Sequence, residues 1–139
     1  MFIGIVLEMS LKRILVIDDD DLVRDTLARI LVRGGYEAVS AKSGREGIAR
    51  FRENPPDLIV TDVIMPDQDG IETIVELRQM DPALPIIAIS GGGRAKAMQF
   101  LDAAEKLGAN KVLSKPVKQA DLLAVIAELL SRAADRKRA

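Results

Sequence analysis

The sequence predicts an α/β fold in which a parallel β-sheet is covered by helices on both faces. Short apolar runs alternate five times with segments of helical spacing, a pattern typical of such sheets. The runs are almost continuously apolar, as strands buried on both faces are. With 139 residues, 48% of them apolar and 3% aromatic, the chain has the length of one domain with an aliphatic core.

Five strands are predicted from the apolar runs and from the residues that interrupt them. The predicted strands are Arg13–Ile17, Glu37–Ala41, Leu58–Thr61, Ile86–Ile89 and Lys111–Leu113. Runs of this length also occur as turns of buried helices, but the short length and the flanking breakers favour strands here.

Five helices are predicted from apolar spacing and capping signals. The first ends at Gly34–Gly35, which suits a left-handed cap, the second opens at Ser43 with the spacing of a capping box, and the third starts at Asp69–Gly70. The fourth and fifth are predicted over Arg94 to Leu107 and Gln119 to Arg132. The predicted core-facing residues of the first, third and fifth helices are Leu22, Val23, Leu27, Ile30, Leu31, Ile71, Ile74, Val75, Leu77, Leu122, Val125, Ile126 and Leu129.

Composition excludes several classes of function. The absence of cysteine rules out disulfides and thiol catalysis, and the absence of histidine rules out Ser-His catalysis and most transition-metal sites. A net charge of −1 gives no electrostatic reason to expect nucleic-acid binding. The apolar opening Phe2 to Leu7 is far too short to span a bilayer, so no membrane association and a cytoplasmic location are expected.

Acidic residues follow two of the predicted strands. Asp18 and Asp19 come directly after the first strand, and Asp62 comes directly after the third. In open parallel sheets, ligands bind beyond the carboxyl ends of the strands, so these side chains are expected in one crevice. Three carboxylates about 5 Å apart repel by roughly 3 kcal/mol per pair at an effective dielectric of about 20. The sequence therefore predicts a divalent cation there, with Mg²⁺ or Mn²⁺ favoured by oxygen ligands.

Two further polar residues at strand ends complete a predicted phosphoryl-transfer site. A carboxylate can act as the nucleophile and form an acyl phosphate, while a cation neutralises the phosphoryl oxygens. Lys115 and Ser90 would supply an amine and a hydroxyl to those oxygens. Each residue also has a structural interpretation: Asp20 or Asp21 as a helix N-cap, Asp62 as a turn residue, Lys115 as an ion-pair partner and Ser90 as a loop hydroxyl.

These residues resemble a known family, the receiver domains of two-component response regulators. The resemblance rests on Ile14 to Asp19, on Asp62 with the Met65 to Gly70 motif, on Ser90 and on Lys115-Pro116, which occur in the family's order. It covers about Lys12 to Leu130 and implies a flavodoxin-like sheet of strand order 2-1-3-4-5. The implied domain spans residues 11–132. Residues 1–10 are expected to be an N-terminal extension, disordered or non-native (an upstream start), with an edge strand as the alternative, and residues 133–139 a basic tail.

The resemblance also implies a role for each site residue. Asp62 would be the phosphoacceptor, and Mg²⁺ would bind Asp19, Asp62 and the backbone carbonyl of Ile64, with Asp18 acting through water. Lys115 would contact the phosphoryl group. The Lys115–Pro116 peptide bond is expected to be cis. Ser90 would be the switch hydroxyl. The implied donor is a histidine kinase or a histidine phosphotransfer protein, and the signal would pass to an unknown downstream protein.

Two departures from the family pattern bear on switching. Val112 stands where many members of the family carry an aromatic residue coupled to the switch hydroxyl. Gly91-Gly92-Gly93 follow Ser90 in a segment that is longer than usual, which predicts a mobile loop and a shifted or extended fourth helix. A tolerated surface insertion is the alternative.

Two other functions remain open at this point. Asp18-Asp19-Asp20 after a strand is similar to the start of haloacid dehalogenase-type phosphatases, in which Asp18 would be the nucleophile. No acidic pair follows Lys115, which argues against such an enzyme. The second alternative is an interaction module that keeps the fold and is never phosphorylated. We expect a phosphoacceptor signalling domain that is not an enzyme.

Overall fold

The computed structural model describes residues 11–64, 70–91 and 94–138, without the side chains of 94–97, 100, 137 and 138. Strands and helices alternate through these ranges. The strands are β1 (Arg13–Ile17), β2 (Glu37–Ala41), β3 (Leu58–Asp62), β4 (Ile86–Ser90) and β5 (Lys111–Ser114). The helices are α1 (Asp21–Arg33), α2 (Gly44–Glu53), α3 (Gly70–Met80), α4 (Arg94–Leu107) and α5 (Gln119–Arg138). The predictions for residues 1–10, for the motif at 65–69 and for the loop at 92–93 lie outside the described residues.

The sheet has the predicted strand order, β2-β1-β3-β4-β5, and every adjacent pair is parallel. The flavodoxin-like fold is therefore confirmed. β1 and β3 are neighbours in register, with Ile17 opposite Thr61, so the residues that follow both strands emerge side by side. β3 and β4 are also neighbours, with Asp62 opposite Ile89.

The core consists of two apolar clusters, one on each face of the sheet. One face packs against α2, α3 and α4, with Ile59, Ile74 and Leu101 among its buried residues. The other packs against α1 and α5, with Val60 and Ile126 among its buried residues. Because successive side chains of a strand point to opposite faces, the continuous apolar runs supply both clusters.

Helix ends follow the capping signals in the sequence. Asp20 is the N-cap of α1, and its carboxylate accepts the backbone N–H of Leu22 at 2.9 Å. At the other end of α1, Gly35 has φ of +92°, Gly35 N–H donates to Val32 O and Tyr36 N–H donates to Leu31 O, which together form a Schellman motif. The predicted N-cap at Asp20 or Asp21 and the glycine cap are both confirmed.

Several boundary and burial predictions are wrong. The end of α5 was predicted at Arg132, but the helix continues to Arg138 because alanine, arginine and lysine are strong helix formers. Leu22 was predicted to face the core and is 75% exposed, since it lies in the first turn, beyond the sheet. In α3, Ile74 and Leu77 are buried and the half-buried Ile71 packs against the same core, as predicted, whereas Val75 is half-buried outside that cluster.

At the amino edge of the sheet, the side chain of Arg78 in α3 forms hydrogen bonds to the loops before β4 and β5. Its guanidinium donates to Leu84 O at 2.6 Å and to Gly108 O at 2.6 Å, and it also donates to Asn110 Oδ1 at 3.0 Å. Asn110 Oδ1 in turn accepts the N–H of Ile86 at the start of β4. Burial lowers the pKa of Arg78, but the group stays a cation because arginine titrates so far above neutrality.

Candidate functional site

The three predicted acidic residues converge at the carboxyl edge of the sheet. Asp18 and Asp19 follow β1 and Asp62 ends β3, and one carboxylate oxygen from each lies within 4.8 Å of the others. Asp18 is fully buried, Asp62 is 4% exposed and Asp19 is exposed. The cluster therefore has two buried acids at its base and one acid that faces solvent.

Asp18 is held rigidly on both its backbone and its carboxylate. Its N–H donates to Ala41 O at 3.1 Å, and its carbonyl accepts Arg24 Nη1 at 2.9 Å. Its Oδ1 accepts the N–H of Asp20 at 2.9 Å. Its buried Oδ2 accepts no hydrogen bond of good geometry from the described residues. A buried carboxylate oxygen is costly unless it is paired, and this one is paired with the Lys115 amine 3.0 Å away instead of with a hydrogen-bond donor of good geometry.

Lys115 brings the positive charge to the cluster from the end of β5. Its Nζ lies 3.0 Å from Asp18 Oδ2 and 3.5 Å from Asp62 Oδ2. The Lys115 N–H donates to Ser90 O at 2.8 Å, and the Lys115–Pro116 bond is cis, as expected. Burial alone lowers the pKa of Lys115, but the two carboxylates outweigh it and raise the pKa above its usual value. The amine is therefore charged at neutral pH.

Asp62 has an unusual protonation equilibrium for an aspartate. Burial, reinforced by the negative charge of Asp18, raises its pKa from 3.8 to about 6, although Lys115 opposes the shift. The N–H of Ile64 lies 3.4 Å from Asp62 Oδ1. The carboxylate is thus mostly ionised at pH 7 and above and little stabilised by hydrogen bonds, so it keeps lone pairs for another partner.

Gly70, the first residue of α3, lies against the backbone that carries Asp62. A Cβ at this position would lie 2.4 Å from Asp62 O and 2.5 Å from Val63 Cα. The Gly70 N–H donates to Val63 O at 3.0 Å. Only glycine permits this approach, so α3 supports the β3 terminus from one side.

Ser90 lies at the end of β4, beside β3. It is fully buried, and its hydroxyl lies 3.4 Å from the carbonyl oxygen of Gly91. Gly91 packs against the Lys115 stem, since a Cβ at position 91 would lie 3.2 Å from Lys115 Cδ. The strand register, with Ser90 opposite Ser114, places this serine at the same edge as Lys115.

The donor set fits a hard divalent cation. Every candidate ligand is an oxygen, and carboxylates are the ligands that Mg²⁺ and Mn²⁺ favour. Two of the acids are buried, and among the described residues one amine, that of Lys115, lies within ion-pair distance of them, which leaves net negative charge in the crevice. An acidic cluster that can hold a metal ion is thus present, and the Lys115 amine lies beside it.

Two residues that help shape this site were missed by the sequence analysis. Arg24 spans from α1 to the carbonyl of Asp18 and pairs with Asp21, but its spacing from Asp21 indicates only an ordinary helix ion pair. Gly70 was read as a helix start, and nothing in the sequence shows that the backbone of β3 approaches it.

The chain is similar to known proteins over most of its length. The family model for the response regulator receiver domain matches residues 14–127. Chemotaxis protein CheY of Thermotoga maritima is 38% identical over 106 residues, which cover 76% of this chain and 86% of that protein. Response regulator MprA of Mycolicibacterium vanbaalenii is 39% identical over 121 residues, which cover 86% of this chain and 51% of that protein. The chain thus spans about half the length of MprA.

Solved structures agree with these sequence relationships. A CheY-like response regulator receiver domain protein from Methanospirillum hungatei JF-1 superimposes with a TM-score of 0.81 at 32% identity, covering 91% of this chain and 99% of that one. A receiver domain protein from Clostridium thermocellum has a TM-score of 0.79, covering 92% and 98% of the two chains. Within the described ranges, no helix is both long enough and apolar enough to cross a membrane.

Proposed function

The chain belongs to the response regulator receiver domain family of two-component signalling proteins, and from that premise we propose that it accepts a phosphoryl group on Asp62. The observation that carries this proposal is the convergence of Asp62, two further carboxylates and the amine of Lys115 at one edge of the sheet. The donor is a phosphohistidine on a histidine kinase or a histidine phosphotransfer protein.

The proposed metal is Mg²⁺, for which Mn²⁺ can substitute. Asp19, Asp62 and the backbone carbonyl of Ile64 would hold it directly, and Asp18 would act through water. When bound, the cation neutralises charge on the phosphoryl oxygens. The buried Asp18 Oδ2, which forms an ion pair with Lys115 but has no hydrogen bond of good geometry from the described residues, supports this assignment.

In the proposed reaction, an Asp62 oxygen attacks the phosphorus atom of phosphohistidine. The new O–P bond forms as the P–N bond breaks, and the imidazole of the donor leaves with the bonding electron pair and takes up a proton. With a pKa of about 6, Asp62 is available as the anion at neutral pH. Lys115, already 3.5 Å from the Asp62 carboxylate, contacts the transferred group.

The acyl phosphate then biases a two-state surface that involves Ser90, α4 and β5. Ser90 is the proposed switch hydroxyl. Val112 in β5 is half-buried. In the proposed switch, β5 therefore responds without an aromatic ring at position 112. The protein phosphorylated on Asp62 binds a downstream protein, and the domain is not an enzyme that turns over a separate substrate. The cytoplasmic location stays a prediction.

The test is phosphorylation by a small donor. Incubation with acetyl phosphate and Mg²⁺, followed by intact mass measurement, should add one phosphoryl group to the protein, and a chelator should prevent the addition. Asp62→Asn should abolish it, whereas Asp25→Asn, an exposed acid on α1, should not. A phosphoryl adduct that persists in Asp62→Asn would defeat the assignment.

The same experiment separates the two alternatives. A phosphorylation-independent interaction module would gain no mass under any of these conditions. A haloacid dehalogenase-type phosphatase would release phosphate continuously from a generic ester, and Asp18→Asn would stop this release while Asp62→Asn would not.

A further inference from the structure

A groove of about 630 Å³ lies at the amino edge of the sheet, opposite the acidic cluster. One wall is formed by the last turns of α5, with Leu130, Ala133 and Ala134 lining it. The other wall is formed by the loops that precede β3 and β4, and its floor contains Pro56 and Leu84, both buried. The extension of α5 beyond Arg132 creates this groove, because Ala133 and Ala134 belong to that extension.

The charged residues at the rim of the groove differ in whether they have a partner. The Asp57 carboxylate accepts the N–H of Arg13 at 2.7 Å, and the Asp81 carboxylate accepts the N–H of Ala83 at 3.0 Å. Lys12 and Arg136 have no carboxylate within ion-pair distance among the residues that the structure describes. The groove is therefore apolar inside, and its rim carries two carboxylates held by backbone N–H groups and two cations, Lys12 and Arg136, that are without an ion-pair partner in the described part of the chain.

The chain enters the sheet at the mouth of this groove. Lys12 O accepts the N–H of Glu37 at 2.9 Å, and Arg13 O accepts the N–H of Asp57 at 2.8 Å. These bonds fix the backbone between β2 and β3, and Lys12 itself lines the groove. The described part of the chain therefore begins at this edge of the molecule, with Leu11 and Lys12.

The sequence before Lys12 matches the groove in chemistry and in reach. Residues 2–7, Phe-Ile-Gly-Ile-Val-Leu, carry no polar side chain, and Glu8 follows them with a charge opposite to that of Lys12 and Arg136. Four residues separate Leu7 from Lys12, and the five Cα-to-Cα steps between them allow a span of up to about 17 Å. The α5 wall from Leu130 to Arg136 rises only about 9 Å, so the segment reaches along its whole length.

We propose that residues 2–7 pack into this groove as an intramolecular occupant, with Glu8 beside Lys12 and Arg136 at its rim. A short tether gives an effective concentration in the millimolar range, which favours the chain's own segment over a second copy. The occupied groove lies at the edge away from Asp62, so this packing is independent of phosphorylation.

The full chain contains no tryptophan, so one introduced indole reports its own surroundings without background. Phe2→Trp should emit at shorter wavelength, and be quenched less by acrylamide, than Leu22→Trp, whose position is 75% exposed. Ile5→Trp repeats the measurement from the middle of the segment. If both tryptophans emit and quench like the one at position 22, the proposal is overturned.

A groove variant tests where the segment packs. Ala133→Gln, added to Phe2→Trp, should shift the emission toward that of the exposed reference, because a polar amide enters the groove. Ala127→Gln makes the same change at an exposed position of α5 and should leave the emission unchanged. A short-wavelength emission that Ala133→Gln does not alter would overturn the proposal, as would one that grows with protein concentration, since that indicates a second copy.

Thermal unfolding supplies a measurement without tryptophan. Removal of residues 2–8 should lower the Tm by a few degrees. Ala133→Gln should lower the Tm of the full chain and have a smaller effect on the shortened one, because the two changes remove the same contact. Equal and additive effects would contradict packing in this groove.

Discussion

Lys115 Nζ lies 3.0 Å from the buried Oδ2 of Asp18, so the crevice carries a counter-charge of its own. This amine lowers the repulsion within the acidic cluster. It also opposes any cation that binds the same carboxylates, because two positive charges a few ångströms apart repel. We therefore expect Lys115 to stabilise the metal-free fold and to weaken the binding of a divalent cation.

The first prediction follows from this competition. Lys115→Met should bind Mg²⁺ several-fold more tightly than the unmodified chain, because a positive charge beside Asp18 is removed, and yet accept phosphate from acetyl phosphate more slowly. Isothermal titration with Mg²⁺ and the rate of phosphoryl incorporation measure the two effects. Lys118→Met, at an exposed position, should change neither. Weaker Mg²⁺ binding in Lys115→Met would contradict this account.

The second prediction concerns the pH dependence of stability without metal. A pKa raised from 3.8 to about 6 means that folded Asp62 holds a proton over a range in which the unfolded chain has lost it. The free energy of unfolding should therefore fall as pH rises from about 4 to about 6, by on the order of 3 kcal/mol at most, and level off above that.

Urea unfolding in chelator at several pH values tests this dependence. Asp62→Asn should lack this part of the slope and should be more stable than the unmodified chain at pH 7.5, because a buried charge is replaced by a neutral amide. Saturating Mg²⁺ should reduce the difference between the two proteins. If the free energy of unfolding of the unmodified chain instead rises between pH 4 and about 6, relative to that of Asp62→Asn, the prediction is wrong.

The third prediction separates neighbouring aspartates that differ in role. Asp18→Asn should weaken Mg²⁺ binding at least tenfold, because a buried charge beside the cation is lost, while changing α1 little. Asp20→Ala should lower the free energy of unfolding by about 1 kcal/mol through loss of the helix cap and change Mg²⁺ binding only slightly. Mg²⁺ titration and urea unfolding of both variants measure these effects. A larger loss of Mg²⁺ binding in Asp20→Ala than in Asp18→Asn would contradict the prediction.

The fourth prediction concerns the support of Asp62 by Gly70. Gly70→Ala should lower the free energy of unfolding by about 1–3 kcal/mol and slow phosphorylation, because the new methyl group meets the backbone of β3. Gly91→Ala is the matched control for stability: the atoms nearest to its methyl group belong to the flexible stem of Lys115 and not to the backbone. Equal losses of stability in the two variants would show that the backbone contact at Gly70 has no special importance.

The strands were predictable because burial on both faces leaves a simple signature. Each apolar run from Ile14–Ile17 to Val112–Leu113 lies in a strand, and parallel strands gather their carboxyl ends at one edge. The neighbourhood of Asp18, Asp62 and Lys115 follows from that geometry. The roles of these residues rest on the family resemblance and on the proposal above.

The features that were missed depend on tertiary contacts that leave no local pattern. Arg78 was not singled out because one arginine on a helix normally faces solvent, and its acceptors are backbone carbonyls that any sequence supplies. The last turns of α5 were read as a tail because of their charges, although the same residues favour a helix. Leu22 shows that spacing alone does not place a residue against the sheet.

The guanidinium of Arg78 forms hydrogen bonds to both the α3–β4 and the α4–β5 connection. These hydrogen bonds hold the amino edge of the sheet, whereas the proposed response to phosphorylation begins at the carboxyl edge, where the acids lie. Amide deuteration of Ile86 and Asn110 should consequently proceed at the same rate before and after modification of Asp62, with the difference confined to the far half of the molecule.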